Sequence, residues 1–336
     1  MPPLLSTRRI RACAFKLFNT VSNSADLPLT GESTRGEDDI IKRIAAILGR
    51  GPVPRGERHI GDDAAVLAPF VGQALISTDV AVLGVHLDAA LFPLEDLGFK
   101  AVASAVSDLA AMGGRPRGAV IAVSSPPGTD LEELHRGISD AAVITSCPIV
   151  GGDLTRGNDV SIAVTVFGEC PGGDAVLRSG ARASEKILVS GPLGRSAAGL
   201  RRRRAGASLQ DELVVAHRRP WPRLAEGIAV RGAGVSAMMD LSDGLGLDLH
   251  RLADASRVGF VLDNVPVAEG ATQQEAISGG EDYELLIVTA HVERLRMIFA
   301  DRGLRQPLEI GWTVADVEER TYRGERFERN GWQHQL

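Results

Sequence analysis

Three successive stretches decide the fold class: ALIST (74–78), LEDLGFKAVASAVSDLAAM (94–112) and GAVIAVS (118–124). The first and third are short apolar runs of the length expected for strands. The middle one carries apolar residues at helical spacing and stops at Gly113-Gly114, a good C-terminal helix signal. Strand, helix and strand in that order predict an α/β (α+β) architecture. Working outward, the spacing predicts helices from about Glu37 to Gly49 and over 131–145, and a strand over 160–167. Pro171-Gly172-Gly173 marks the clearest linker, which puts the domain boundary near residue 172. A second alternation follows. It has strands at 187–190, 236–239, 259–262 and 283–288, and helices at 196–202, 212–218, 221–231, 245–255 and 292–302. The expected division is an N-terminal extension over 1–35, a first domain over 36–172 and a second over 173–336.

The chain has 336 residues, and at roughly 150 residues per domain that length also predicts about two domains. Its net charge of −6 argues against a nucleic-acid binder, and only 4% aromatic residues argue against single-strand stacking. Residues 201–204 are four arginines, which read as a solvated helix face because the chain as a whole is acidic. No apolar run is long enough to span a bilayer. Cys13, Cys147 and Cys170 have no paired or metal-ligand spacing. A soluble, reduced, cytoplasmic setting is expected. Residues 1–25 place Arg8, Arg9, Arg11 and Lys16 before the first acid, Asp26; this reads as a disordered tail or an overlong start-site assignment, with a transit peptide as the alternative. Only Lys16, Lys42, Lys100 and Lys186 occur and none precedes Ser or Thr, so the chain has no G-x-x-x-x-G-K-[ST] loop.

The aspartates are distributed in a pattern. Gly61-Asp62-Asp63 precedes an apolar stretch, and Asp79 closes the expected strand after Ser77-Thr78. Ser107-Asp108 lies within the alanine-rich helix, and Gly151-Gly152-Asp153 follows Ile149-Val150. Asp240-Leu241-Ser242-Asp243-Gly244 joins a strand to a helix. Taken singly, each is an ordinary cap or turn residue. Taken together, five acidic sites in apolar surroundings need pairing, protonation or a metal. Hard oxygen ligands of this kind suit Mg²⁺, which is commonly completed by water and substrate phosphates.

These segments carry a resemblance. GDDAAVL (61–67), STDVAVLGVHLD (77–88), KAVASAVSDLAAMGGRPRG (100–118), VGGDLTRG (150–157) and LRSGARASEKILVSGPLGRSAAGL (177–200) come first. MDLSDGLGLDLHRLADAS (239–256) and ISGGEDYELL (277–286) follow. In this order the chain closely resembles the thiamine-monophosphate kinase family, within the superfamily of aminoimidazole ribonucleotide synthetase. The resemblance spans about residues 36–334.

The resemblance implies a two-domain fold in which the N-terminal domains of two subunits pair into a β-barrel, making a homodimer. It implies direct transfer of the γ-phosphoryl of ATP to thiamine monophosphate with no protein nucleophile. It assigns Asp63, Ser77, Thr78, Asp79, Asp108, Asp153, Asp240 and Asp243 to several Mg²⁺ ions, with K⁺ as a candidate further cation. Gly152, Asp153, Arg178 and Ser242 correspond to nucleotide contacts, and His86, Glu281 and Trp332 to contacts with thiamine monophosphate. The side chains suit those roles: Trp332 can stack on flat rings, Glu281 can accept from an aminopyrimidine, and Arg178 offers a planar fork to phosphate. The family's ending resembles Gly-Trp/Tyr-Asp-His-Phe, whereas this chain has Gly331-Trp332-Gln333-His334-Gln335. The competing expectations are another ATP-dependent enzyme of the superfamily, of synthetase type, or a non-catalytic nucleotide-binding homologue.

Overall fold

Side chains alternate between two faces along a strand, and β1 (Gln73–Val82) uses that alternation to separate two kinds of chemistry. Leu75, Ser77, Asp79 and Ala81 lie on its more covered face, and Ile76, Thr78 and Val80 on its open one. The computed structural model describes residues 37–49, 52–61 and 64–333. The expected extension over 1–35, together with Cys13, Asp62, Asp63 and residues 334–336, lies outside them.

The first sheet has the order β1-β4-β2-β3, with β2 at Arg115–Ser125, β3 at Ile149–Arg156 and β4 at Ser161–Cys170. β4 pairs antiparallel with both β1 and β2, while β2 and β3 run parallel. Three helices accompany it: α1 (Glu37–Leu48), α2 (Leu94–Ala111) and α3 (Leu131–Thr145). α2 is apolar on almost every side, and such a helix belongs in an interior. Its Leu97, Val102, Val106 and Leu109 pack into one core with Ile162, Val164 and Val166 of β4 and with Leu134 and Ile138 of α3. α2 and α3 approach closely because each presents a glycine at the crossing. A methyl group at Gly98 would overlap the carbonyl oxygen of Leu134, and one at Gly137 would overlap that of Glu95.

Two expectations are modified here. β1 continues beyond Thr78, because its register with β4 runs on from Thr78↔Thr165 to Val82↔Ser161, so Asp79 lies inside a strand instead of closing one. Gly151-Gly152-Asp153 is not a turn but part of β3. Gly152 meets Ile121 of β2 so closely that a Cβ would strike the Ile121 carbonyl oxygen, which accounts for a glycine inside a strand.

The second sheet has the order β11-β10-β7-β9-β5-β8-β6. Its strands are β5 (Lys186–Val189), β6 (Ala237–Asp240), β7 (Gly259–Leu262), β8 (Leu285–Thr289), β9 (Leu308–Val314), β10 (Arg320–Tyr322) and β11 (Glu325–Arg326). The helices are α4 (Arg195–Arg204), α5 (Glu212–Arg218), α6 (Leu224–Ala233), α7 (Leu245–Ser256), α8 (Gln273–Ser278) and α9 (Val292–Asp301). Among the described residues neither sheet closes into a barrel: β1 and β3 are edges of one, β11 and β6 of the other. No described helix is long and apolar enough to cross a membrane.

α2 also joins the two halves. A Cβ at Gly227 of α6 would overlap the Ala110 carbonyl oxygen, so these helices touch backbone to backbone. At its other end, buried Asp96 accepts from Arg218 Nη1 (2.6 Å) and Arg219 Nε (2.8 Å) at the end of α5. Gly137→Ala is expected to destabilise the protein by about 1–3 kcal/mol, the usual cost of overpacking, despite alanine's better helix propensity. A denaturant midpoint equal to or above the wild type would contradict this close α2–α3 contact.

Candidate active site

Residues four apart share one face of a helix, and α2 turns Lys100, Ser104 and Asp108 into a single cavity of about 470 Å³. Asp79 of β1 and Asp240, the last residue of β6, line the same space, as do Ser242 and Asp243. The opposite wall is Gly280, Glu281 and Tyr283. Main-chain bonds hold the two loops together: Glu281 N donates to Ser242 O (2.7 Å), and Tyr283 N to Leu241 O (2.9 Å). Glu281 and Tyr283 have φ of 66° and 50°, the left-handed region that side chains rarely adopt. Such conformations cost roughly 1–3 kcal/mol each and persist where the surroundings over-determine them, commonly at functional sites.

Three buried acids outside this cavity are neutralised by arginines, and the acid at its centre is not. Asp96, Glu169 and Glu284 are each bound by two arginines. Asp240, 3% exposed, accepts from Ser107 Oγ (2.6 Å) and has no ion-pair partner among the described residues. Burial, with Asp108 and Asp248 nearby, pushes its carboxyl up to about 7. Burial likewise raises Asp108, against the effect of a 2.5 Å hydrogen bond from Ser77 Oγ. Asp248, behind the cavity, is pushed up to about 6, chiefly by burial. It accepts from Asp243 N (2.9 Å) and from Arg251 Nη1 (2.7 Å), and Arg251 also pairs with Asp243.

The far side of the cavity contains His86, Lys100, His217, Glu281 and Trp332. His86 Nδ1 accepts the Val82 N–H at 3.0 Å, so a neutral ring carries its proton on Nε2 and can donate from there. Lys100 Nζ lies 2.7 Å from Glu281 Oε2. His217 lies 3.0 Å from Ser196 Oγ through Nδ1; burial, with Lys100 and Arg204 nearby, pushes its pKa down to about 2. Trp332 is half exposed, and its main-chain N–H donates to Asp243 O at 2.9 Å.

A second cavity of about 410 Å³ shares Asp108 with the first. Leu75, Leu109, Val176 and Met239 give it apolar walls, while Ser77 and Arg178 supply polar groups. Two cavities thus meet at one carboxylate.

Of the residues singled out from the sequence, Asp79, Asp108, Asp240, Asp243, Ser242, His86, Glu281 and Trp332 come together in the first cavity, and Ser77 and Arg178 line the second. Thr78, Gly152 and Asp153 line neither. Thr78 is on the open face of β1 and bonds Thr165 Oγ1 (3.0 Å). Asp153 is exposed on edge strand β3. Lys100, His217 and Arg204 were not anticipated. The repeated four-residue step from Lys100 through Ser104 to Asp108 is a usable signal for the first of them; no motif marks the other two.

Residues 61–170 match the N-terminal domain of AIR synthase related proteins, and residues 182–323 match the C-terminal domain. The chain is 37% identical to thiamine-monophosphate kinase of Escherichia coli K12 over 281 residues, which is 78% of this chain and 86% of that protein. The crystal structure of thiamine-monophosphate kinase from Stenotrophomonas maltophilia K279a is similar at a TM-score of 0.74 and 32% identity, covering 85% of this chain and 96% of that one. AaThiL complexed with AMPPCP and TMP is similar at 0.70 and 29% identity, covering 91% and 99% respectively. The mixed α/β two-domain architecture is therefore that of the AIR synthase related proteins.

The isolated charge on Asp240 has a consequence for stability. A carboxyl whose folded pKa lies above its unfolded value costs progressively more stability as pH rises between the two. For Asp240 that window runs from about pH 4 to about 7. Asp240→Asn should therefore raise the thermal midpoint of the ligand-free protein at pH 8 by a few degrees, at about 2–4 °C per kcal/mol, and by less at pH 5. A midpoint lowered at pH 8 would contradict the isolation of this charge.

Proposed function

The chain belongs to the thiamine-monophosphate kinase family, and on that premise we propose that it phosphorylates thiamine monophosphate with ATP to give thiamine diphosphate and ADP. One observation carries the reading: two cavities of similar size meet at Asp108, between Arg178 on one side and His86, Glu281 and Trp332 on the other. Transfer of a phosphoryl group between two phosphate-bearing molecules needs such a pair of sites. The likeness to AaThiL complexed with AMPPCP and TMP supports both substrates.

In this reading the acceptor lies in the larger cavity. Trp332 stacks on its rings, Glu281 accepts from its aminopyrimidine, and His86 donates from Nε2 to its phosphate. ATP lies on the Arg178 side, where the guanidinium holds phosphate oxygens; Ser242 would reach it from the first cavity, and Gly152 and Asp153, which line neither cavity, are its further proposed contacts. An acceptor phosphate oxygen forms a bond to the γ-phosphorus as the bond from that phosphorus to the β-phosphate bridging oxygen breaks. No phosphoenzyme intervenes, and the protein's task is to position the two substrates and exclude water.

The donor chemistry fits Mg²⁺. Among the described residues no three acidic, His or Cys side chains are gathered as a ready-made metal centre, but Mg²⁺ typically takes one or two protein carboxylates and finishes its shell with water and phosphates. Asp63, Ser77, Thr78, Asp79, Asp108, Asp153, Asp240 and Asp243 are the proposed ligands of several ions, with K⁺ a further cation in the same scheme. When bound, Mg²⁺ supplies positive charge to the phosphates. Thr78 is on the open face of the first sheet, where Ile76 (75% exposed), Val80 (49%) and Val120 present apolar surface to solvent. Exposed apolar area of this kind marks an interaction surface. It supports a homodimer in which domains 36–172 pair into a β-barrel, while 173–336 complete the sites; a cytoplasmic setting is part of the same proposal.

Incubation with ATP, Mg²⁺ and thiamine monophosphate should yield thiamine diphosphate by chromatography, and its absence while ATP binds would sink the reading. Asp79→Asn should lower turnover by about a hundredfold or more, on the scale of lost electrostatic stabilisation, with an unchanged circular dichroism spectrum. Trp332→Ala should chiefly raise KM for the acceptor, by about fivefold or more; an unaltered KM removes the stacking role. Light scattering should give a dimer for the wild type and a monomer for Ile76→Arg. A wild-type monomer excludes the barrel.

A further inference from the structure

Lys100 is 2% exposed within a largely apolar helix, where a methionine would pack at less desolvation cost. Its Nζ makes two polar contacts that join distant parts of the chain. It pairs with Glu281 Oε2 at 2.7 Å and donates to the His86 carbonyl oxygen at 3.0 Å. His86 follows β1 and Glu281 precedes β8, so one ammonium ties the two halves of the molecule at a single point. His86 is held twice, its carbonyl by Lys100 and its ring Nδ1 by Val82 N–H. Glu281 is pinned through one oxygen only. Lys100 and His217 Nδ1 (3.5 Å) approach Oε2, and among the described residues no hydrogen bond or ion pair engages Oε1. A carboxylate fixed by one oxygen in a left-handed backbone keeps its second oxygen available as an oriented acceptor.

We propose that Lys100 is a positioning residue for the acceptor substrate: it fixes Glu281 and His86 relative to each other and so sets affinity for thiamine monophosphate without acting on ATP. This rests on the proposed kinase function. Its neighbours at the next turns of the same helix face, Ser104 and Asp108, carry the cavity wall toward the site of transfer. Lys100 itself touches neither the second cavity nor Arg178. The specificity of its effect follows from that position.

The test uses the full chain and four variants: Lys100→Met, Lys100→Arg, Glu281→Gln and the Lys100→Met/Glu281→Gln double. Kinetics are read for each substrate, and calorimetry gives the Kd of thiamine monophosphate without ATP. Lys100→Met should raise the acceptor KM and Kd by about tenfold or more, the scale of one charge-assisted hydrogen bond. KM for ATP should stay within about twofold and kcat within about threefold. Lys100→Arg, which keeps the charge, should fall between wild type and Lys100→Met. In the Glu281→Gln background Lys100→Met should add less than about twofold, because the two residues act as a unit. An unchanged acceptor KM, a parallel rise in both KM values, or additive effects of the two substitutions would each overturn the proposal. If Lys100→Met does not fold, the double variant, which removes both charges, should fold and match Glu281→Gln alone; failure of both to fold makes Lys100 purely structural and overturns the proposal. Wild-type binding of thiamine monophosphate without turnover would fault the kinase function alone, and the calorimetric Kd values would still decide the role of Lys100. Absence of wild-type binding overturns both.

Discussion

Several buried carboxylates in this chain are neutralised by arginines, the one at the centre of the cavity is not, and the character of the site follows from that contrast. Glu169 and Glu284 each lie between arginines, and Asp96 accepts from the consecutive guanidinium groups of Arg218 and Arg219. Asp240 receives a serine hydroxyl and two acidic neighbours instead. A carboxylate in such surroundings stays neutral or waits for a cation. The strained residues Glu281 and Tyr283, the glycine-rich loop before them and the close crossing of α2 with α6 all serve to bring acids from distant segments to that one location. Stability is given up there in exchange for a site that phosphate-bound cations can complete.

α2 is the element through which that exchange operates. Its apolar sides fill the first core and its glycine crossings fix the neighbouring helices, so its one polar face is held rigidly. Lys100, Ser104 and Asp108 stand at successive turns of that face, from the ion pair with Glu281 to the junction of the two cavities. Functional groups on a packed helix hold their geometry better than groups on a loop. The loops contribute His86 and Glu281, and both are tied back to the helix by the same ammonium.

Much of this was legible in the sequence where periodicity was strong and local. Helices α3 and α5 and strand β7 have the bounds that spacing alone predicts. β9 escaped notice although it lies between β7 and β5, because Glu309 and Gly311 interrupt its apolar run. Gly311 is there because the neighbouring Val261 carbonyl leaves no space for a Cβ, a reason that is tertiary and invisible locally. Aspartate disfavours strands, so local sequence puts Asp79 at a strand end, yet pairing with β4 carries the strand past it. The acids of the cavity were recognisable by their motifs, and their convergence was not. In the sequence Lys100 is one of four scattered lysines, and only the fold sets its ammonium against Glu281.

The central claim is that donor and acceptor occupy the two cavities on either side of Asp108 at the same time. Calorimetric titration of thiamine monophosphate into protein saturated with Mg²⁺ and a non-hydrolysable ATP analogue tests it most directly. The account predicts that thiamine monophosphate still binds one per chain, with an affinity equal to or better than in the absence of the analogue. Mutually exclusive binding, in which the analogue abolishes the thiamine monophosphate signal, would contradict it.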